Sequence, residues 1–347
     1  MKIHCKARIK SLDLSDELSG IELTSTQRRV SHGISVTFPL KLKFNPSIAR
    51  DPVKIGYVST NYSMGYKADA TFRLKNLTEE KVIETASSNL NCLKRILKWN
   101  VSNDILFFRI SSNTVPFASH PMNTANWKEE LRGLLKEVGS FIRDHYLRIS
   151  MHPGQFTVIN SEKREVVEAS VRELEYHADL LDLMGVEGVI QIHVGSGSGG
   201  KERGLARFVR GFSLLPERIA RRIAVENDDR IYTLRDCLVL NRELGIPVIL
   251  DNLHHQVNSS GEGLSEAFSL ARETWRGTPM TDYSSQEPGE EAGVHASTLD
   301  EDDFRRYVQE ISRVGDADIM LEIRDKERSA LKAVQVLRSM KVGKSRT

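Results

Sequence analysis

Imidazoles and carboxylates recur in this chain where short apolar runs give way to loops. Six of the ten histidines stand at such points: His120, His152, His193, His254, His255 and His295. Glu226, Asp251, Asp282 and Glu322 occupy equivalent places. One histidine so placed is usually a satisfied polar residue, but this many coincidences point to a shared centre. The mixture of nitrogen and oxygen donors predicts a multinuclear site for divalent ions and suits zinc or manganese better than calcium or magnesium. Three ions share the site if Glu226 bridges from its middle, though spacing alone does not fix the count. Such a cluster suits phosphodiester hydrolysis, in which one ion acidifies water and the others screen the phosphate. Sugar isomerisation, with two metals polarising a hydroxy-carbonyl substrate, draws on the same ligand types.

These donors must be held by regular elements, and the chain supplies a rhythm of them. Apolar, β-branched or aromatic runs predict strands at 54–58, 105–110, 147–151, 188–193, 222–226, 246–251, 280–283 and 318–322. Helical periodicity lies between them. One helix spans 78–99, with Thr78 as N-cap, Glu79 and Glu80 in its first turn and Val82, Ile83, Ala86, Leu90, Leu93 and Leu97 on its apolar face. Another spans 165–184 and ends at Gly185. Strands alternating with amphipathic helices mean parallel pairing through crossovers, and eight units mean an α/β fold of the (β/α)8 TIM-barrel type. In that fold the active site lies at the carboxyl ends of the strands, where these donors fall. An open doubly wound sheet is the competitor, weakened by the lack of a Gly-rich fingerprint after the first strand. The glycine-rich run Gly195 to Gly200 reads equally as a phosphate cradle or a flexible turn.

The bulk numbers set limits. The chain has 347 residues, 39% of them hydrophobic and 28% charged, enough for a large core and ordinary for a soluble protein. A formal net charge of +2 neither demands nor excludes a nucleic-acid partner, because a basic groove can be local. Cys5, Cys92 and Cys237 have no metal-binding spacing and fit free thiols in a reducing cytosol. No stretch approaches the roughly 18 apolar residues of a membrane span. The expectation is a soluble, cytoplasmic protein with no membrane association and no obligate protein partner. Residues 1–50, basic and Ser-rich, are expected to form an N-terminal extension, either a flexible arm or a small strand pair. Residues 51–340 form the barrel domain and 341–347 a basic tail.

Several specific stretches follow one another in order, each at a strand end. They are Gly56-Tyr57 with Asn61; Phe108-Arg109-Ile110-Ser111-Ser112; Pro116-Phe117-Ala118-Ser119-His120-Pro121; and Ser150-Met151-His152-Pro153-Gly154-Gln155-Phe156. Then come Glu226-Asn227-Asp228, Asp251-Asn252-Leu253-His254-His255, His295-Ala296, and Glu322 with Lys326-Glu327. Over nearly the whole barrel the chain resembles the UV damage endonuclease family, related in fold to the three-metal AP endonucleases. The resemblance implies a metal-dependent endonuclease acting on double-stranded DNA that carries UV photoproducts, cyclobutane dimers and 6-4 photoproducts. Such an enzyme nicks the backbone immediately 5′ to the lesion and leaves a 3′-hydroxyl. It implies two or three divalent ions, manganese first, with zinc or magnesium as alternatives.

Carried over by motif, the metal ligands are His152, His193, Glu226, Asp251, His254, Asp282, His295 and Glu322. Glu226, Asp251 and His120 are the catalytic set, with His120 beside the scissile phosphate; its plain alternative is a helix-capping or loop histidine. Gln155 and Phe156 match the family's probing pair, an amide and an aromatic wedge that fill the gap left by an extruded dinucleotide. Otherwise Phe156 is a rim aromatic packed into the core. Tyr57 and Asn61 are expected at the flipped lesion or its phosphate, the alternative for Tyr57 being a barrel-interior tyrosine. Arg109 and Lys326 are expected on the DNA backbone, with Lys201, Arg203, Arg230 and Arg328 as further cations near the mouth. The chain departs from the family pattern at Asp282, where some members have histidine, and at Met280, where some have a lysine capable of carbamate formation. It also has Arg324 where lysine is common. An AP-endonuclease-like activity, a sugar isomerase or epimerase on the same fold, and a non-catalytic binder of distorted DNA are the competing readings.

Overall fold

The computed structural model of the chain describes residues 53–344. The expected extension at residues 1–50 lies outside the described residues, as does the end of the tail at 345–347. Eight strands form: β1 (Ile55–Val58), β2 (Phe107–Ile110), β3 (Arg148–Met151), β4 (Gly188–His193), β5 (Ile223–Glu226), β6 (Val248–Asp251), β7 (Met280–Tyr283) and β8 (Asp318–Leu321). Each pairs in parallel with its sequence neighbour, and β1 closes on β8 through Ile55 opposite Ile319. The fold is therefore the (β/α)8 barrel, and closure excludes the open sheet, which would leave two unpaired edges. Strands β2 and β6 start two residues after their apolar runs because those first residues close the preceding helix. Ile105 N–H donates to the Asn100 carbonyl at 2.9 Å, and Asn241 Nδ2 donates to the Ile246 carbonyl at 2.8 Å.

The helices begin and end as their caps dictate. Thr78 Oγ1 accepts from Lys81 N–H at the start of the helix Glu79–Ser102. Thr233 and Asp236 form a reciprocal capping box on the helix Leu234–Leu244. Gly185 and Gly245 end their helices in the left-handed region, at φ 63° and 70°, which an L side chain would strain. The last helix, Glu327–Lys344, runs on through the boundary expected at 340.

Inside the barrel the two-residue period of each strand separates two layers. The lower layer is an apolar plug of Phe107, Ala224, Ile249, Met280 and Met320. Two residues further along the same strands stand Arg109, Glu226, Asp251, Asp282 and Glu322. Gly56 lets the plug close, since a Cβ there would lie 2.8 Å from Met320 Cε and 2.9 Å from Phe107 Cβ. The residues between such positions, Phe108, Val225 and Leu250 among them, point outward into the larger apolar layer between the strands and the helices.

The loop Gly195 to Gly200 is a built turn and not a free phosphate cradle. Ser196 N–H donates to Asn160 Oδ1 at 2.7 Å, Ser198 N–H to Ser196 Oγ at 3.2 Å, and Gly200 N–H to the Gly197 carbonyl at 3.0 Å. Three of its amides are thus already used within the protein.

One close crossing on the outer layer offers a test of the packing. A Cβ on Gly139 would sit 1.7 Å from the Met184 carbonyl oxygen, where the helices Arg132–Asp144 and Arg164–Met184 meet. Gly139→Ala is expected to destabilise the protein by about 1–3 kcal/mol or more through overpacking. Thermal unfolding monitored by circular dichroism checks it: an unchanged midpoint would show that the helices can separate freely.

Candidate metal centre

The upper layer of the barrel gathers the predicted donors around Glu226, which is buried at the end of β5. Its Oε2 lies 3.5 Å from His152 Nε2 and 3.7 Å from His193 Nε2. Its Oε1 lies 3.2 Å from His254 Nδ1, which is in turn 3.7 Å from Asp251 Oδ1. His152, His193, His254 and His295 form a row of imidazoles with ring centres 5.1, 5.9 and 5.9 Å apart. Two groups could each hold an ion, His152 with His193 and Glu226, and Glu226 with Asp251 and His254. Glu226 belongs to both. His295 and Glu322 stand beside them, with His295 Nδ1 2.6 Å from the Glu322 carbonyl oxygen and 3.7 Å from its Oε2.

The fit to cations rests on what the protein leaves unsatisfied. Glu226 Oε1, Asp251 Oδ2 and the Nδ1 atoms of His152 and His193 are buried without hydrogen-bond partners. Buried polar atoms are nearly always paired, and orphaned carboxylate oxygens set among imidazoles are what a divalent ion satisfies. Around them the frame is tight. Asn227 accepts from Asp251 N–H at 3.0 Å and donates to its carbonyl at 3.1 Å, tying β5 to β6. Asp251 also caps the short helix Asn252–Val257, accepting from His254 N–H at 2.7 Å. Behind His152, Ser112 Oγ lies 3.1 Å from the His152 carbonyl oxygen and 2.9 Å from Nε2 of the buried His177.

Electrostatics separates the carboxylates. Burial raises the Glu226 carboxyl, but His193, His152 and His254 outweigh it and hold it well below the usual range. Burial pushes Asp251 up to about 6, with Glu226 and Glu322 adding to the rise and His254 opposing it. Burial opposes charge on His254, yet Asp251 and Glu226 raise it to about 11. Burial also raises Glu322, but Arg109 brings it down to about 2.

Several expected site residues take other roles. Arg109 is 2% exposed and points into the barrel. Its Nη2 donates to both oxygens of Asp282 at 2.9 Å and to Gln191 Oε1 at 2.7 Å, and its Nη1 pairs with Glu322. Gln191 Nε2 in turn reaches Glu226 and Asp282. Arg109 is thus an internal counter-ion with no free donor face for a DNA backbone, and Asp282 lies outside both donor groups because the guanidinium takes its oxygens. Gln191 was missed from sequence, although its place two residues before His193 on β4 faces it inward.

Tyr57 is corrected as well. Gly56 faces the barrel interior, so Tyr57 faces out to the helix Glu79–Ser102 and is 0% exposed. Its hydroxyl donates to Asn100 Oδ1 at 2.7 Å and accepts from Asn61 Nδ2 at 3.1 Å. Asn61, equally buried, fixes the turn by accepting from Met64 N–H at 3.1 Å. Neither can touch an extruded base. His255 is buried, with Nε2 3.0 Å from the Glu262 carbonyl oxygen, a core contact away from the donors. His120 receives Met122 N–H on Nδ1 and lines a cleft of about 300 Å³ next to the main one. It does not line the donor cavity itself.

That main cavity, about 710 Å³, has Arg109, His152, His193 and Glu322 on its floor and Gln155 and Phe156 on its rim. Phe156 is 84% exposed, so it is not a core aromatic, and Gln155 beside it is exposed too. Lys326 is half-buried in the left-handed region at φ 54°, its ammonium pKa lowered by burial. Lys201 is paired with Asp236 at 2.9 Å and Arg230 with Asp229 at 3.4 Å. No helix among the described residues is long and apolar enough to cross a membrane.

Two expectations follow. Arg109→Met leaves Asp282 without its cation and should destabilise the metal-free protein by about 3–5 kcal/mol; urea unfolding in EDTA reads it, and an unchanged midpoint would deny the counter-ion role. Cation binding must displace the proton held by His254 up to about 11 and, below about 6, that of Asp251. Binding should therefore release protons at pH 7.5 and weaken as the pH falls to 5.5. Calorimetric titration with manganese in buffers of different ionisation enthalpy measures this. Affinity independent of pH, with no proton release, would remove these two groups from the ligand set.

Comparison with known proteins agrees with the geometry. The profile of the family described as UV-endonuclease UvdE matches residues 53–345. A UV DNA damage endonuclease of Clostridium perfringens is 35% identical over 295 residues, covering 83% of this chain and 71% of that protein. Another, from Bacillus thuringiensis, is 32% identical, covering 77% and 86%. The crystal structure of SacUVDE superposes with a TM-score of 0.82 at 56% identity, covering 84% of this chain and 99% of that one. Endonuclease IV from Thermus thermophilus, at 17% identity and a TM-score of 0.52, shares the fold over 82% of this chain and 98% of its own. With a match that spans the barrel from its first strand to its last helix, the chain belongs to the UV-endonuclease UvdE family and is a DNA-cleaving enzyme.

Proposed function

We infer that the protein incises double-stranded DNA immediately 5′ to UV photoproducts, leaving a 3′-hydroxyl, with divalent ions held by His152, His193, Glu226, Asp251 and His254. His295 and Glu322 complete the set at its edge. The observation that carries this reading is Glu226, a buried carboxylate shared by two donor groups, whose partners His152 and His193 line a cavity with Phe156 exposed on its rim. Divalent ions bound there, manganese before zinc or magnesium, supply an acidified water and offset the charge that builds on a phosphate.

The chain's own residues do the rest. Glu226 stays ionised despite burial, because three imidazoles surround it, and so offers both oxygens at neutral pH. Asp251 and Asn227 hold His254 in place through the helix cap and the carbonyl contact at 3.1 Å. Gln155 and Phe156, exposed on the loop that directly follows the ligand His152, suit insertion into a duplex. Unstacking costs less where bases are damaged, and that difference favours the lesion over intact sequence. No base-reading groups are needed, since a distorted duplex is selected by its deformability.

Supercoiled plasmid, irradiated or not, is the substrate that tests this. With manganese the protein should nick irradiated plasmid and spare the control. Glu226→Gln should lower the rate by more than about 100-fold, beyond the usual effect of groups that only surround a metal site. On an end-labelled duplex with one cyclobutane dimer, the product should end directly before the lesion and be extendable by a polymerase. Equal cutting of undamaged plasmid, or preference for a single abasic site over the dimer, would overturn the lesion assignment.

A further inference from the structure

The loop after β1 carries a feature that neither the metal centre nor the Gln155–Phe156 wedge uses. Glu327 is 0% exposed, yet its carboxylate is spent on that loop. Oε2 accepts from Tyr62 N–H at 3.0 Å, and Oε1 accepts from Ser63 N–H at 2.8 Å and from Ser63 Oγ at 2.7 Å. Asn61 accepts from Met64 N–H within the same turn, and an isolated bridge joins Asn61 to Tyr66. Ser59, at φ 64°, starts the turn in the left-handed region. Charge-assisted bonds of this kind are among the stronger ones, and a buried carboxylate committed to two successive amides fixes the loop firmly. What the turn presents is the side chain of Tyr62, 54% exposed. Tyr66, its neighbour in the loop, is held by Arg95, 4.9 Å above its ring. Tyr62 has no ring or hydroxyl partner among the described residues.

The position of this ring matters. Strands β1, β2 and β3 are consecutive in the barrel wall, so their loops stand side by side at the carboxyl end. The main cavity reaches from Val58 and Ser59 at the base of the β1 loop to Gln155 and Phe156 on the β3 loop. Each of the two loops, at β1 and at β3, therefore borders the cavity and carries an exposed aromatic, one on a clamped turn and one on the wedge. Every nucleobase has a π-face, and an exposed aromatic on a rigid support is a stacking platform that tolerates any sequence.

We propose that Tyr62 is a second base-stacking platform, holding a nucleobase of the damaged duplex at the β1 loop, apart from Phe156 on the β3 loop. It rests on the DNA-incising reading above and adds a binding residue to it. Glu327 is the positioning residue that keeps the platform in place.

Steady-state cleavage by the manganese-loaded full chain tests the proposal, on a duplex containing one cyclobutane dimer. Tyr62→Ala should raise KM at least about five-fold, the lower end for loss of one stacked base. Metal content and thermal midpoint should be unchanged, and Tyr62→Phe should match the parent. Combined with Phe156→Ala, the two fold-changes in KM should multiply, as for independent sites. An unchanged KM in Tyr62→Ala would overturn the platform. So would a loss as large in Tyr62→Phe, which would assign the effect to the hydroxyl. A fall in metal content or thermal midpoint would make Tyr62 structural, and a double variant no worse than Phe156→Ala would make it a mere support for the wedge. A parent protein that fails to cut the dimer duplex at all would instead sink the broader reading.

Discussion

Four carboxylates pointing into one closed barrel are the constraint on which the rest of this structure depends. Glu226, Asp251 and Asp282 are essentially buried, and Glu322 nearly so. Like charges at such depth repel strongly and lose their hydration, so each must be matched or neutralised. The barrel meets the demand in two different ways. On the side of β2, β7 and β8, Arg109 matches Asp282 and Glu322, with Gln191 filling the remaining hydrogen bonds. On the side of β5 and β6, Glu226 and Asp251 face imidazoles and keep oxygens that no protein donor reaches. The first half is complete in itself and can serve as a rigid wall. The second keeps donors free, in an arrangement that could hold divalent cations.

Much of this was legible in the sequence because barrel strands have a strict period of two. Each of the strand-end carboxylates follows an apolar plug residue by two positions: Ala224 then Glu226, Ile249 then Asp251, Met280 then Asp282, Met320 then Glu322. Strand ends and donors were therefore found together. The errors fell where a residue's side of the wall mattered more than its place in a motif. Tyr57 belongs to the opening motif, but it is one residue past the inward Gly56 and so packs outward against Phe108 and Asn100. Arg109 follows Phe107 by two and faces inward, which makes it a counter-ion and not a backbone contact. Parity alone would have corrected both. Asn61, His120 and His255 lie in loops or short helices, where no period applies and only tertiary contacts decide their roles.

The two layers of the barrel interior also account for Met280. Its position belongs to the lower layer, where side chains fill volume, and it is 1% exposed among Phe107, Ile249 and Met320. A cation is not missing from the ring above, because the Arg109 guanidinium is present there between Asp282 and Glu322. Charge balance in the upper layer is thus settled by an arginine on β2 and not by the residue on β7.

On the proposed reading the barrel fixes the floor of the cavity and recognition falls to its rim, and the connection between them is short. His152, a donor, and Gln155, the first exposed residue of the wedge, are three positions apart, so at most about 10 Å of backbone separates them. Along one strand of B-DNA the phosphates rise roughly 3.4 Å per nucleotide along the helix axis. A wedge at Gln155 and Phe156 is therefore held within a few nucleotides of the metal donors. Pro153 stiffens this span, and the bonding of Ser112 behind His152 anchors its start. On the proposed reading, the place of incision relative to the lesion is set by chain geometry. Lengthening the span would move the cut or abolish it, whereas changing the exposed side chains would alter only which distortions are accepted.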